Sequence, residues 1–226
     1  IQPHHPDLNY VNQVLMYYGE LYKRSIPVDF VQDTDDFSNY CLVIAPLQYL
    51  MTKELADKYF AYAEAGGTLV LTMRTGVKDE HNICMCDREL PGVLSDLCGI
   101  EVSDYDCLRD ADVRVTWEED RESGVYYATK WSDIITLKGA EALACYRDEF
   151  YAGTPCVTEN AYGMGRVFYI GTEPSEKLLE AVMDRAAVSA GIRSIGRKDP
   201  GVELSRRKKG GKEWIFALNL TGRPAG

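Results

Sequence analysis

An α/β fold, with a doubly wound, mostly parallel sheet and a β-rich later part, is what three features of this 226-residue sequence predict. Helical and strand-like apolar patterns alternate with short connections through the first hundred residues. Two unbroken apolar runs, Cys41–Ala45 and Thr68–Met73, have the composition of strands buried on both faces. From about Ile100 the pattern changes to short strand-like segments separated by charged turns.

The elements follow in order. Between Leu8 and Arg24, Val11, Val14, Leu15, Tyr18, Leu21 and Tyr22 recur at three- and four-residue steps, which predicts a helix with that face inward. Pro27 ends it, Val28–Val31 reads as a short strand, and Asp33–Asn39 is turn chemistry. Thr52 is placed to cap a helix through Ala65 that turns Leu55, Tyr59 and Tyr62 inward and stops at Gly66-Gly67. A short helix is expected from Pro91 to Cys98, ended by Gly99. Strands are expected at Val113–Thr116, Val125–Ala128, Ile134–Leu137 and Ala142–Tyr146.

Pro155–Asn160 and Arg166–Gly171 flank Ala161-Tyr162-Gly163-Met164-Gly165, a hairpin signal. Thr172–Ala190 is an amphipathic helix with Pro174 in its first turn. Val202–Arg206 and Trp214–Leu220 form a last hairpin. A lone hairpin is marginal in water, so it reads as the start of another domain. The expected division is 1–198 and 199–226.

Lys and Arg number 25 against 35 Asp and Glu, a net charge of −10 that repels phosphate backbones and argues against nucleic-acid partners. The basic cluster Arg206-Arg207-Lys208-Lys209 reads as a solvated hairpin turn before Gly210-Gly211. Seven scattered cysteines, with Cys41 and Cys145 inside apolar runs as buried small hydrophobes, suit a reducing, cytoplasmic setting. No apolar run reaches transmembrane length, so no membrane partner is expected.

In a doubly wound sheet a site is sought at the carboxyl ends of the strands, here Pro46–Tyr49 and Arg74–His81. Neither is a phosphate cradle, which argues against a nucleotide cofactor. The turn after Thr68–Met73 carries Arg74 and Thr75, with no nucleophilic Cys or Ser and no adjacent His. A Cys-His hydrolase would need His81 to activate Cys84 or Cys86. The same three residues fall one short of a structural zinc set and read as incidental, so no metal is expected.

Asp79 and Glu80 are adjacent and cannot readily aim at one bond, which argues against a carboxylate pair and favours a solvated or interface-facing acidic loop over direct sugar contact, with Arg74, Asp79 and Glu80 as the interface or sugar-proximal candidates. Glu118-Glu119-Asp120 reads as a solvated turn. Tyr17, Tyr18, Tyr22, Tyr59 and Tyr62 fall at helical spacing and read as core or interface. His4-His5 reads as loop. The fold is one that usually carries a site, and its usual position lacks a nucleophile.

Pro6–Val11, Pro27-Val28-Asp29, Leu42–Pro46 and above all Ala65–Thr72, followed by Arg74-Thr75-Gly76 and Asp79-Glu80, resemble the β-galactosidase trimerisation domain of glycoside hydrolase family 42. The resemblance covers Pro6 to Ile195, and Gly201–Asn219 is similar to the start of that family's small C-terminal β domain. It implies a class I glutamine amidotransferase-like (flavodoxin-like) domain without a catalytic triad. It also implies a parent that forms homotrimers and hydrolyses terminal β-D-galactosides with retention.

In such a parent both catalytic glutamates lie in a (β/α)8 barrel outside this chain, so no catalytic residue, cofactor or metal is carried over. Arg74, Asp79 and Glu80 are expected at the carboxyl edge of the sheet, near the barrel of a neighbouring subunit. In the family an apolar strand precedes the helix near Leu8. Starting at Ile1 leaves it out and opens a slot that another chain could fill. A stand-alone amidotransferase-like Cys hydrolase and a carbohydrate-binding module are the alternatives.

Overall fold

The computed structural model describes residues 5–85, 88–109, 111–119, 124–195 and 201–223. Helix α1 (Tyr10–Lys23) begins at Asn9, whose side-chain oxygen accepts the N–H of Val11 at 2.9 Å and of Asn12 at 3.2 Å. After strand β1 (Leu42–Ala45), Thr52 caps α2 (Lys53–Glu64) by accepting the Leu55 N–H at 3.1 Å. Strand β2 (Thr68–Thr72) is buried along its whole length. A 3₁₀ turn at Gly92–Leu94 leads into the single-turn α3 (Ser95–Cys98).

Next come β3 (Ile100–Asp106), β4 (Val113–Trp117), β5 (Tyr126–Leu137), β6 (Glu141–Tyr146), β7 (Pro155–Tyr162), β8 (Gly165–Ile170) and β9 (Thr172–Pro174). Helix α4 (Glu176–Ser189) and the hairpin β10 (Val202–Lys209) and β11 (Lys212–Asn219) complete the chain.

The main sheet runs β1-β2-β8-β7-β6-β4-β5-β3, with β9 also paired to β5, while β10 and β11 form a sheet of their own. The two faces of β2 divide the core by the two-residue alternation of a strand. Val70 joins Tyr17 and Leu21 of α1 and Leu178, Val182 and Met183 of α4 on one face. Leu69 and Leu71 join Leu55 and Tyr59 of α2 and Leu97 of α3 on the other. Helices therefore cover both faces of a mixed sheet that becomes β-rich in its later part. No described helix is long and apolar enough to cross a membrane.

The sheet is not mostly parallel: among the described strands β1·β2 and β2·β8 pair in parallel and the remaining pairings of the main sheet are antiparallel. Short turns can return a strand only antiparallel to its predecessor, and such turns dominate after Ile100. Cys41 is exposed, because β1 is the edge strand and Cys41 precedes its first residue. Val28–Val31 forms no strand; it runs past a groove of about 440 Å³ beside β1 with Phe30 exposed. The expected strands Val125–Ala128 and Ile134–Leu137 merge into the single β5, which starts one residue later at Tyr126 and is irregular where its pairing with β9 shifts between Thr129 and Ser132 and Lys130 takes φ +58°.

Pro174 lies in β9, and Ser175 flanks a helix that starts later than expected. The basic residues Arg206–Lys209 end strand β10, with Arg206 2.8 Å from Glu213, and only the glycines make the turn.

Helix α1 buries a different face from the one its apolar spacing predicts. Its buried residues are Gln13, Tyr17, Glu20 and Leu21, whereas Val11 is 59 % exposed, Leu15 55 % and Tyr22 also open. Polar pairing explains the rotation. Gln13 donates to Glu173, and Glu20 pairs with Arg24, whose guanidinium reaches Asp184 at 2.9 Å and the Glu180 carbonyl at 2.8 Å on α4. These partners pin the polar side of α1 inward and leave much of its apolar stripe facing out.

Candidate functional site

The loops leaving β1 and β2 are locked together at the carboxyl ends of the parallel strands. The Leu47 N–H donates to Thr72 Oγ1 at 2.7 Å, the Gly76 N–H to the Gln48 carbonyl at 2.9 Å and the Met51 N–H to the Lys78 carbonyl at 2.8 Å. Gly76 is required where it stands: its φ is +71°, and a Cβ would sit 2.6 Å from the Pro91 carbonyl oxygen. Thr75 is fully buried and donates its hydroxyl to the Thr72 carbonyl at 2.6 Å, so it is not available as a nucleophile.

Arg74 occupies this junction in a left-handed conformation, φ +64°. Only 6 % of it is exposed. Its guanidinium carbon lies 4.8 Å from the Trp131 ring centre, 5.3 Å from that of Tyr49 and 5.7 Å from that of Tyr105. Tyr105 and Trp131 stack at 4.6 Å with planes 16° apart. The Lys78 ammonium lies 5.7 Å from the Tyr49 ring centre, placing a second cation beside the cage. Arg74 Nε and the Tyr49 hydroxyl are both buried without a hydrogen-bond partner.

Behind the cage lies Asp133, buried on β5. It accepts from Trp131 Nε1 at 2.8 Å and from the Tyr169 hydroxyl at 2.8 Å. Burial pushes its carboxyl up to about 6, against those two hydrogen bonds and the nearby Arg74 charge, which favour the ionised form.

The other expected site residues lie farther along the second loop. Asp79 Oδ1 accepts the backbone N–H of His81 at 2.9 Å and of Ile83 at 2.8 Å, so this carboxylate holds a turn. Glu80 is exposed, 3.8 Å from His81 Nε2. The two acids do not converge on one point. Cys84 is exposed, and Cys86 lies outside the described residues, as do His4 and Asp120. His5 Nδ1 accepts the Asp7 N–H at 3.1 Å. Among the described residues no cluster of three or more His, Cys, Asp or Glu is arranged to hold a metal ion.

Tyr105, Trp131 and Asp133 were not singled out by sequence reasoning. For Trp131 and Asp133 the local signal is their two-residue spacing in a strand, next to the register shift of β5 against β9, while Tyr105 comes from the neighbouring β3. The arrangement offers a buried cation with planar aromatic walls and no group poised for covalent chemistry.

The sequence profile described as the β-galactosidase trimerisation domain matches residues 1–193. Among curated proteins, the chain is 36 % identical over 219 residues to β-galactosidase LacA of Lactobacillus acidophilus, covering 95 % of this chain and 32 % of that protein. It is 34 % identical over 215 residues to β-galactosidase BgaB of Geobacillus sp. (strain Y412MC61), covering 95 % and 31 %. The chain thus spans about a third of the length of the curated relatives it matches.

Among solved structures, β-galactosidase from Bacillus circulans sp. alkalophilus superimposes with a TM-score of 0.88 at 30 % identity, over 95 % of this chain and 32 % of that one. The enzyme from Rahnella sp. R3 gives 0.88 at 32 % identity, over 97 % and 33 %. With the profile spanning nearly all of its main sheet and helices, the chain belongs to the β-galactosidase trimerisation domain family.

Proposed function

We propose that this chain joins the subunits of a homotrimeric β-galactosidase, which hydrolyses terminal β-D-galactosides with catalytic residues that lie outside it. One observation carries the reading: α1 turns Val11, Leu15 and Tyr22 outward while burying polar residues. Tyr22 and Phe30 both stack on Tyr18 of the same helix, and Tyr10 and Phe30 are exposed as well, the kind of apolar surface that marks a protein–protein contact. The nucleophile-free turn at Arg74 and Thr75 supports a structural role and kinship with class I glutamine amidotransferases that have lost their triad.

On this reading Arg74, Asp79 and Glu80 face a neighbouring subunit's barrel, and the parent works in the cytoplasm. Residues 1–198 form the joining domain, and 199–226 open a second, β-type domain. The groove beside β1 is the place an apolar strand preceding α1 would fill. Light scattering on the protein carrying this chain tests the role. A trimer that Val11→Asp with Leu15→Asp breaks into monomers is the expected result, and a trimer indifferent to both overturns it. The isolated chain is expected to turn over no chromogenic galactoside.

A further inference from the structure

We propose that Arg24 is the positioning residue of the joining surface: its ties to α4 set the rotation of α1, and subunit association depends on that rotation. The proposal rests on the subunit-joining reading and names what holds the contacting face outward.

Helix α1 lies on the sheet with much of its amphipathic pattern inside out. Gln13, Glu20 and Arg24 are each at most 3 % exposed, whereas Val11 and Leu15 are more than half exposed. Val11, Leu15, Tyr18 and Tyr22 recur at four- and three-residue steps, so they share one side of the helix. Tyr17 and Leu21 give the buried side some apolar contact, but the outward stripe is the richer of the two. Burial of apolar surface alone would turn that stripe towards the sheet. Something else must hold the polar side in.

Arg24 is placed to do so. It closes the C-terminal end of α1, and all three of its guanidinium nitrogens are engaged. Nε reaches Asp184 Oδ1 at 2.9 Å and Nη2 the Glu180 carbonyl at 2.8 Å, two partners one turn apart on α4. Nη1 donates to the Glu20 carbonyl at 3.0 Å and pairs with the Glu20 carboxylate. A planar fork held at several points fixes a direction, where a point charge fixes only a distance. Near the other end of α1, Gln13 donates to Glu173 on β9, a second anchor on the same side. Buried ion pairs are poor sources of net stability and are best attested as devices that set register. With 3 % of its surface exposed, Arg24 has almost nothing to offer a neighbour directly, so its influence on assembly must pass through α1.

The test uses the protein carrying this chain, with trimer dissociation followed by sedimentation. Hydroxyl-radical footprinting of the dissociated subunits reads the exposure of Leu15 and Tyr22, and hydrogen exchange of β2 and β8 reads the core. Arg24→Lys keeps the charge and loses the fork. It is expected to weaken the trimer at least about tenfold and to cut Leu15 oxidation at least about twofold as the stripe turns in, with β2 and β8 equally protected. If Arg24→Lys costs core protection, Glu20→Gln, which keeps the shape of the pair without its charge, decides by the same three readings. Loss of core protection in both variants overturns the proposal, because the pair then holds the fold and not the face. A trimer left equally tight overturns it too, as does a weakened trimer whose Leu15 stays as open as in wild type. Val11→Asp with Leu15→Asp separates the two claims. A trimer indifferent to that pair, or a wild type that is monomeric, overturns the joining role and the positioning with it; a trimer which that pair breaks and Arg24→Lys spares overturns the positioning alone.

Discussion

Asp133 shows how a single enclosed group sets a pH dependence. Its carboxyl stands near 6 in the fold against an ordinary 3.8, with burial the leading cause. Between those values the folded chain keeps a proton that the unfolded chain has released, so stability is greatest below about pH 4 and falls as pH rises towards 6. The loss is on the order of 2–3 kcal/mol. Asp133→Asn retains an oxygen for Trp131 Nε1 and presents an N–H to the Tyr169 oxygen. It should flatten the slope between pH 4 and 6 and raise the melting midpoint at pH 7 by roughly 2–8 °C, read by calorimetry at each pH. A variant with the wild-type slope would show that another group titrates. Arg74 could be named from sequence because it follows a strand end; Asp133 could not, because its enclosure comes from β8, more than thirty residues away along the chain.

Among the elements, α2 and the β7–β8 hairpin show how closely local signals fix structure. Thr52 was readable as a cap, and Thr52→Ala should cost about 1 kcal/mol in a urea titration. Gly165 read only as a turn residue, yet the fold gives it a second task. A Cβ there would run into the Ala63 and Gly67 carbonyl oxygens where β8 passes the end of α2. Gly165→Ala is therefore expected to destabilise by about 1–3 kcal/mol, more than its turn position alone would cost. The face of α1 was misread for a related reason. Apolar spacing describes what a helix could bury, while Glu20–Arg24 and Gln13–Glu173 decide what it does bury through partners far along the chain. β9 was missed because three residues leading into a helix leave no period to read.

For the molecule as a whole, the alternation of helices and strands made an α/β fold legible, but not which strands meet in parallel. That follows from β8 being inserted beside β2 after a long excursion through the antiparallel half. β10 and β11 contribute to none of the buried clusters that hold the main sheet, so deleting residues from 201 onward should leave the calorimetric midpoint within about 2 °C. A larger drop would reveal a packing role for the hairpin. The pairing of Thr72 with Ile170 has a consequence for synthesis on the ribosome. β2 leaves the exit tunnel nearly a hundred residues before the strand that closes its far edge. At cellular elongation rates that apolar edge waits roughly 5 to 20 s for its neighbour. Newborn chains should therefore be most vulnerable to clumping, and most dependent on chaperones, in the interval between the emergence of residue 72 and that of residue 170.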